Sequence, residues 1–227
     1  MTEGNGQRKV ESETIEIEHF RLQVPRRVTF DPPLTEEEYL SLGNNPLQME
    51  QDEEGWIHMM TPTSEVTTYA NAELTRQLAN WAVEHGGWVG ESSGGFQMRD
   101  GSRPSPDVAY TVPERCEGRQ PSHSLGPVCP DFIMELMSPS DRLAPAQAKM
   151  QKWITRGVKL AWLIDPFHKR VFVYRQGKPA ECHSTPHVRG DGPVEGFILD
   201  LGRVWQFYGR GFAKTQAPAP PALKFRK

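Results

Sequence analysis

The sequence is poor in the features that build disulfide frameworks or membrane spans. Its 227 residues include three cysteines, Cys116, Cys129 and Cys182, whose odd number and irregular spacing argue against a set of disulfide bonds. No stretch approaches the ~20 apolar residues of a transmembrane helix, and no apolar run follows the basic residues near the start. We therefore expect a cytoplasmic protein with no membrane partner.

Charge of one sign is not in large excess either. Lys and Arg number 26 and Asp and Glu number 29, which gives a formal net charge of −3. This balance provides no overall attraction to nucleic acid, so any polyanion must bind a local basic patch. A zinc site is also disfavoured, because the spacing of His123 between Cys116 and Cys129 matches no common finger or ribbon.

The residues that are present favour one folded domain. A hydrophobic fraction of 37% supports a substantial core. Residues 1–30 mix charges with isolated β-branched residues, so we expect an N-terminal extension there, with a short edge strand at 14–18. The domain is expected over residues 31–210. A Pro-rich and basic C-terminal tail is expected over residues 211–227.

Capping residues and periodicity predict an α/β fold. Thr35 and Glu38 have the spacing of a capping box at the start of a short helix. Ser64 or Thr63 caps a long helix that ends at Gly86, and a further helix is predicted over residues 146–156. Strands are predicted at 47–51 and 56–60 as a hairpin, and at 87–91, 95–99, 107–112, 132–137, 158–165 and 170–175. This order favours a mixed β-sheet core flanked by helices.

Two of these strands carry an acid where burial is expected. Asp107 begins one of them, and Glu135 lies inside the apolar run 132–137. An unpartnered buried carboxylate costs several kcal/mol, so two on neighbouring strands indicate a bound cation, and oxygen-only ligands favour Mg²⁺ or Mn²⁺. Two structural alternatives stay open. Asp107 could cap a turn after Pro106, and Glu135 could pair with Arg103.

The helix after Glu135 contributes a lysine. At ~100° per residue, Lys149 lies at the border of the apolar stripe that contains Met150 and Trp153, whereas Lys152 lies well away from it. Lys149 is therefore the lysine that can lean toward the sheet. Such a cation could position or deprotonate a water and offset the charge of a pentavalent phosphorane. The alternative is an ordinary surface lysine that keeps its charge in solvent.

Several segments follow one another in a characteristic order along the chain: Thr35–Leu40, Met49–Glu50, Pro106–Ala109, Asp131–Ser140, Lys149 four residues before Trp153, Gly157–Val158, Trp162–Pro166 and Val173–Arg175. In these segments, between about residue 34 and about residue 205, the chain resembles the Uma-two family of endonucleases, in the PD-(D/E)xK superfamily. The resemblance implies a restriction endonuclease-like fold and an endodeoxyribonuclease that uses Mg²⁺ or Mn²⁺ to hydrolyse DNA. It implies Asp107 and Glu135 as metal ligands, the backbone carbonyl of Leu136 as a further ligand, and Lys149 as the catalytic lysine. Glu50 matches an acidic position of the family and would be an additional ligand, although a solvated place at the hairpin tip is an equal alternative.

Two departures from the family pattern stand beside this resemblance. Met137 occupies the usual lysine position two residues after Glu135, and Thr63–Val66 lacks the histidine often found there. An alternative function is therefore a catalytically inactive binding or interaction module with the nuclease fold. A homodimer is a further expectation for an endonuclease, because cutting both strands of DNA with one site per chain is easier for a two-fold pair.

Overall fold

A computed structural model describes residues 26–28, 33–41, 48–60, 63–121 and 123–209. The strand predicted at 14–18 and the tail predicted over 211–227 lie outside these residues. So does most of the extension predicted over 1–30, of which residues 26–28 form a strand. The domain boundaries stay a prediction.

The described elements follow one another along the chain in an α/β order. The helices are α1 (Glu36–Ser41), α2 (Glu65–His85), α3 (Pro113–Cys116), α4 (Leu143–Thr155) and α5 (Gly202–Tyr208). The strands are β1 (Arg26–Val28), β2 (Gln48–Gln51), β3 (Ile57–Met60), β4 (Trp88–Glu91), β5 (Val108–Thr111), β6 (Phe132–Leu136), β7 (Leu160–Asp165), β8 (Arg170–Arg175), β9 (Glu181–His183), β10 (His187–Arg189) and β11 (Ile198–Asp200). No described helix has the length and apolar character needed to cross a membrane.

The core is a six-stranded sheet in the order β4-β5-β6-β7-β8-β9. Strands β6 and β7 are parallel and are connected through α4, whereas the other neighbours are antiparallel. A separate antiparallel sheet, β1-β3-β2, joins the loop before β5 through a bridge between Gln51 and Arg103. The predicted mixed sheet flanked by helices is therefore confirmed.

Helices cover both faces of the central sheet because strand residues alternate between the faces. Met134 and its neighbours at even positions of β6 pack with Leu74 of α2 and Val204 of α5. Ile133 packs on the opposite face with Met150 and Trp153 of α4. Since Glu135 shares the face of Ile133, its side chain lies under α4.

Local capping signals are confirmed at two helices. Thr35 N donates to Glu38 Oε2 at 2.8 Å, and Glu38 N donates to Thr35 Oγ1 at 3.2 Å, which is the reciprocal capping box. Ser64 is the N-cap of α2, and Gly86, with φ of 77°, ends it. The long helix therefore begins and ends where its sequence predicts.

The strand predicted at 95–99 is wrong. The backbone turns back on itself there, because Met98 N donates to Ser102 O and Gly101 N donates to Met98 O. Gly101 has φ of 85°, and Asp100 Oδ1 accepts from Ser102 N, so these residues stabilise a tight turn. Local turn chemistry at 100–102 thus outweighs the apolar residues that suggested a strand.

Candidate active site

Four predicted residues from four separate parts of the fold meet at the end of β6. Asp107 immediately precedes β5, Glu135 lies in β6, Lys149 lies in α4 and Glu50 lies in β2. Lys149 Nζ lies 2.9 Å from Glu135 Oε1 and 3.2 Å from Glu50 Oε1. The structure therefore brings a lysine between two carboxylates that are far apart in the sequence.

Glu135 is nearly buried, at 9% exposure, and is held from the α4 side. Trp153 Nε1 donates to Glu135 Oε1 at 2.9 Å, and Lys149 Nζ donates to Glu135 Oε2 at 3.1 Å. The alternative partner, Arg103, instead donates to Gln97 and Gln51. The structural alternative, in which Glu135 pairs with Arg103, is therefore not what the structure shows.

Two donors from other elements hold the side chain of Asp107. Its Oδ2 accepts from the backbone N–H of Leu136 at 2.7 Å, and its Oδ1 accepts from Asn71 Nδ2 at 2.9 Å. Both donors come from distant parts of the chain, β6 and α2, and not from the local turn after Pro106. These bonds orient the carboxylate toward the end of β6.

Glu50 lies in a strand and not at the hairpin tip, which residues 52–55 form. Its Oε1 accepts from Lys149 Nζ, and from Ser105 N at 3.4 Å. The side chain is 19% exposed. Glu50 therefore does not occupy the solvated place at the hairpin tip that was the alternative to a metal-binding role.

Leu136 presents a backbone carbonyl at the same place. The β5–β6 register pairs Val108 with Met134 and Tyr110 with Phe132, so its continuation sets Leu136 opposite Pro106. Hydrogen-bonded pairs of an antiparallel ladder exchange two bonds, but proline has no N–H to donate. Pro106 therefore cannot return a hydrogen bond to the Leu136 carbonyl oxygen.

The site contains three carboxyl groups and one ammonium group. Burial raises the pKa of Glu135 to about 8 against the effect of Lys149, and the Asp107 and Glu50 carboxylates add to the rise. Burial also raises the pKa of Asp107. For Lys149, burial acts to lower the pKa, but the Glu135, Glu50 and Asp107 carboxylates outweigh it and raise the pKa. Lys149 therefore stays protonated, and three acidic side chains share its single positive charge.

The oxygen atoms of this site are suitable ligands for a hard dication, but they are not arranged around a preformed metal position. Among the described residues, no group of three or more His, Cys, Asp or Glu side chains is placed to hold a metal ion. The oxygens of Asp107 and Glu135 face protein donors instead. Two carboxylates with raised pKa values and a carbonyl without a ladder donor suit Mg²⁺, which takes few protein ligands and keeps several waters. The cysteines and His123 offer no comparable zinc cluster in the described part of the chain.

Comparison with known proteins identifies the family and the fold. The family model described as "Putative restriction endonuclease", Uma2, matches residues 36–202, which is most of the chain. The chain belongs to the Uma2 family. A solved structure described as a "putative nuclease belonging to DUF820", from Anabaena variabilis ATCC 29413, has a TM-score of 0.63 and covers 77% of this chain and 99% of its own. At 19% identity this likeness shows the fold. No curated protein matches the chain.

The place of the lysine in this Uma2 protein follows from helix geometry. Lys149 faces Glu135, whereas Lys152 pairs with Glu53 on the outer surface. Met137, at the usual lysine position of the superfamily, is 2% exposed in the core under α4. The helical-wheel prediction for Lys149 is therefore confirmed in its geometry.

Sequence reasoning missed two residues that hold the carboxylates. Asn71 is 8% exposed and lies on the buried face of α2 beside Ala70 and Leu74. A polar residue on an apolar stripe was the available signal, because buried amides are normally bonded to something specific. Trp153 was predicted as core, which it is, but its indole N–H also bonds Glu135.

Proposed function

We propose that this protein is an endonuclease that hydrolyses phosphodiester bonds of DNA with Mg²⁺ or Mn²⁺ as cofactor. The observation that carries the proposal is the surplus of carboxylates around Lys149, with the pKa values of Asp107 and Glu135 both raised. A stable fold gains nothing from keeping buried acids uncompensated, so their surplus is best explained by a cation that binds there. Membership of the Uma2 family supports the nuclease class.

Asp107, Glu135 and the Leu136 carbonyl would hold the cation, and Glu50 would be a further ligand. A bound dication supplies polarisation of a phosphoryl oxygen and a lowered pKa for a bound water. Asn71 and the Leu136 N–H orient the Asp107 carboxylate, and Trp153 orients that of Glu135. These hydrogen bonds fix the orientation of the Asp107 and Glu135 carboxylates before a cation binds.

Lys149 would act as a fixed positive charge. Its carboxylate neighbours keep the ammonium protonated, so it is suited to orient a water and to offset the negative charge of a phosphorane. Of the two roles that the sequence left open, positioning fits better than proton abstraction. A Lys149→Gln variant would lose the charge and keep much of the length of the side chain.

The direct test is cleavage of supercoiled plasmid DNA by the pure protein with Mg²⁺ or Mn²⁺. We expect the wild type to cleave the plasmid, and we expect Asp107→Asn and Glu135→Gln to lower the cleavage rate at least ~100-fold. Lys178→Gln is the matched control, because Lys178 is an exposed residue in the turn after β8, at the other end of the sheet. Equal cutting by wild type and Asp107→Asn would assign the activity to a contaminant.

A second candidate is the inactive binding module. It is favoured by the acidic balance of the chain, and by Thr63–Val66 in place of the family's histidine. Calorimetric titration with Mg²⁺ separates the two functions. Ion uptake that is lost in Glu135→Gln supports the nuclease, whereas no uptake by the wild type supports the module.

The proposal includes a homodimer, because each chain carries one site and a duplex has two strands. Sedimentation with and without a DNA duplex measures this directly. A dimer on DNA is expected. A monomer that converts supercoiled plasmid to nicked circles and not to linear DNA would show single-strand cutting and remove the need for a pair.

A further inference from the structure

A groove lies over β4 and β5, on the same face of the central sheet as α4. Two small residues that pair across these strands, Gly90 and Ala109, form its floor. Trp88, Phe96 and Thr111 also line it, and we name this set of five residues the β4 groove. Its volume is about 470 Å³, within the ~300–1,000 Å³ of small-molecule sites. The groove therefore has room for a planar group such as a nucleobase.

The β4 groove lies next to the candidate active site. Ala109 follows Asp107 by two residues, which sets their Cα atoms ~7 Å apart along the strand. Across the sheet, Ala109 pairs with Ile133, which lies two residues before Glu135. Ala109 and Ile133 pack in the cluster under α4, on the face where Glu135 lies. A nucleotide beside the one whose phosphate is cleaved would therefore lie at the groove.

The aromatic side formed by Phe96 is fixed by the backbone. Phe96 N donates to Pro104 O at 3.0 Å, and Gln97 N donates to Gly126 O at 2.9 Å. Pro104 precedes Asp107 by three residues, so the same stretch of chain positions the aromatic ring and the carboxylate. The groove is therefore a preformed part of the fold.

Gly90 leaves a space that the fold does not require. At Gly87, φ is 82° and a Cβ would lie 2.5 Å from Thr111 O, so that position needs glycine. Gly90 has no positive φ, and among the described residues a Cβ there would meet only Ala109 Cβ, at an ordinary 3.7 Å. Glycine weakens the interior of a strand and often marks close approach of a ligand. The open glycine at the floor of the groove therefore indicates an occupant.

The chemistry of the groove suits a base that is attached to a phosphate. Arg119 lies over Trp88, with its guanidinium carbon 5.3 Å from the ring centroid. Among the described residues Arg119 has no carboxylate partner, whereas the nearby Arg115 pairs with Asp131. Bases stack on aromatic rings, because every base has a π-face, and arginine adds a cation for the phosphate. Aromatic sides next to an unpaired cation therefore favour a nucleotide over a purely apolar ligand.

We propose that the β4 groove binds one unpaired base of the DNA beside the cleavage point. This inference rests on the proposed function, because it assigns a substrate contact of that site. Trp88 and Phe96 contact the base, and Gly90 leaves room for it. Arg119 pairs with a neighbouring phosphate. The preferred substrate is then DNA with a single-stranded segment, such as a gap, a flap or a melted region.

Fluorescence anisotropy tests this with the full chain in EDTA, so that no cleavage intervenes. The two probes are a short oligothymidine and an abasic oligonucleotide of the same length, which carry the same phosphate charge. We expect the wild type to bind oligothymidine at least ~10-fold more tightly, because only this probe can stack a base on an aromatic ring.

Gly90→Val places a side chain in the groove and suits a strand. It should lower the preference for oligothymidine to less than ~2-fold while thermal stability stays equal or rises. Trp88→Leu should also lower the preference, whereas Trp88→Phe should keep most of it because an aromatic face remains.

Cys182→Val is the matched control for Gly90→Val. Cys182 is exposed in β9, the edge strand on the opposite side of the same sheet. This change enlarges a side chain on an edge strand far from the groove, so the preference for oligothymidine should equal that of the wild type.

Equal binding of the two probes by the wild type, or binding of neither, would overturn the inference even if the protein cuts plasmid. A preference that Gly90→Val retains in full would also overturn it, because the base would then bind elsewhere. If that variant keeps the preference but sediments as a monomer where the wild type is a dimer, the groove is an interface between two copies. A preference that Gly90→Val removes, in a protein that never cuts DNA, would keep the inference and remove the nuclease function.

Discussion

Two buried acids four residues apart, Asp131 and Glu135, experience opposite electrostatic environments. Asp131 has 0% exposure, and its Oδ1 lies 2.8 Å from Arg115 Nη1 and 2.9 Å from Lys159 Nζ. The backbone N–H of Val112 donates to its Oδ2 at 3.1 Å. Burial acts to raise the pKa of Asp131, but Lys159, Val112 and Arg115 outweigh burial and lower it.

Glu135 is buried almost as well, yet it shares one lysine with Glu50. Its pKa moves the other way, to about 8. The comparison teaches that burial of an acid does not by itself indicate function. What distinguishes the candidate site is that two cations contact Asp131, whereas Glu135 shares a single lysine with Glu50, so a bound cation would stabilise the ionised form of Glu135.

The largest expected difference is in activity. Glu135→Gln and Asp107→Asn should lower the rate of plasmid cleavage at least ~100-fold while leaving stability within ~1 kcal/mol, because the uncharged forms suit their buried places. Cleavage rate and urea unfolding measure the two quantities. A large loss of stability in Glu135→Gln would mean that the acid is structural, as Asp131 is.

Asp131→Asn should show the reverse pattern. It leaves Arg115 and Lys159 without their carboxylate, and we expect a loss of ~2 kcal/mol in the free energy of unfolding, moderated because both cations are partly exposed. Among molecules that remain folded, metal affinity should be unchanged. Urea denaturation with Mg²⁺ calorimetry checks this, and a variant as stable as the wild type would contradict the account of Asp131.

Asn71→Leu tests the orientation of Asp107. Removing a residue that orients a metal ligand is expected to lower Mg²⁺ affinity ~10-fold. Asn71→Ser is the partner variant, because it removes the amide and keeps a small polar group. Calorimetric affinity separates positioning from packing: equal affinities for Asn71→Leu and the wild type, with only stability changed, would assign Asn71 to packing.

The pH dependence of stability should differ in sign between the two acids. A carboxyl whose pKa is raised from 4.5 to about 8 contributes stability below pH ~4.5, which is lost as pH rises to ~8. Asp131 contributes stability above its unfolded pKa, which is lost in acid. In EDTA, the wild type should therefore lose stability from pH 5 to pH 8, by at most ~1.4 kcal/mol per unit. Glu135→Gln should show a flatter profile, and identical profiles would refute the raised pKa.

The smallest effect is expected at Lys152. It lies three residues after Lys149 but points to Glu53, and its side chain is 51% exposed. Lys152→Gln should change stability by less than ~0.5 kcal/mol and leave cleavage unchanged, whereas Lys149→Gln should abolish cleavage. Equal effects of the two substitutions would contradict the helix orientation.

Local signals in the sequence predicted much of the fold. Thr35 marked the start of α1, Ser64 and Gly86 marked the bounds of α2, and continuous apolar runs located β6 and β8, because these elements are determined by neighbouring residues. The segment 95–99 was mistaken because the turn at 100–102 competes with its strand pattern. The short elements β9 to β11 and α5 were not predicted, since they are held by tertiary contacts such as those of Val204 and Leu199 with the main core.

The candidate site was predictable only in part. Lys149 followed from helix periodicity, whereas Asn71 meets Asp107 across 36 positions of sequence that no local pattern connects. The same limit applies to Asp131, because Arg115 and Lys159 reach it from other elements. The number of cations that contact each buried acid therefore depends on the tertiary arrangement and not on the local sequence.

The most direct test of the account is an anomalous difference map from crystals soaked in Mn²⁺. A site with surplus carboxylates should show a peak within ligand distance of Asp107, Glu135 and the Leu136 carbonyl, and the balanced Asp131 should show none. The absence of a peak at Asp107 and Glu135 at saturating Mn²⁺, or a peak at Asp131 alone, would contradict it.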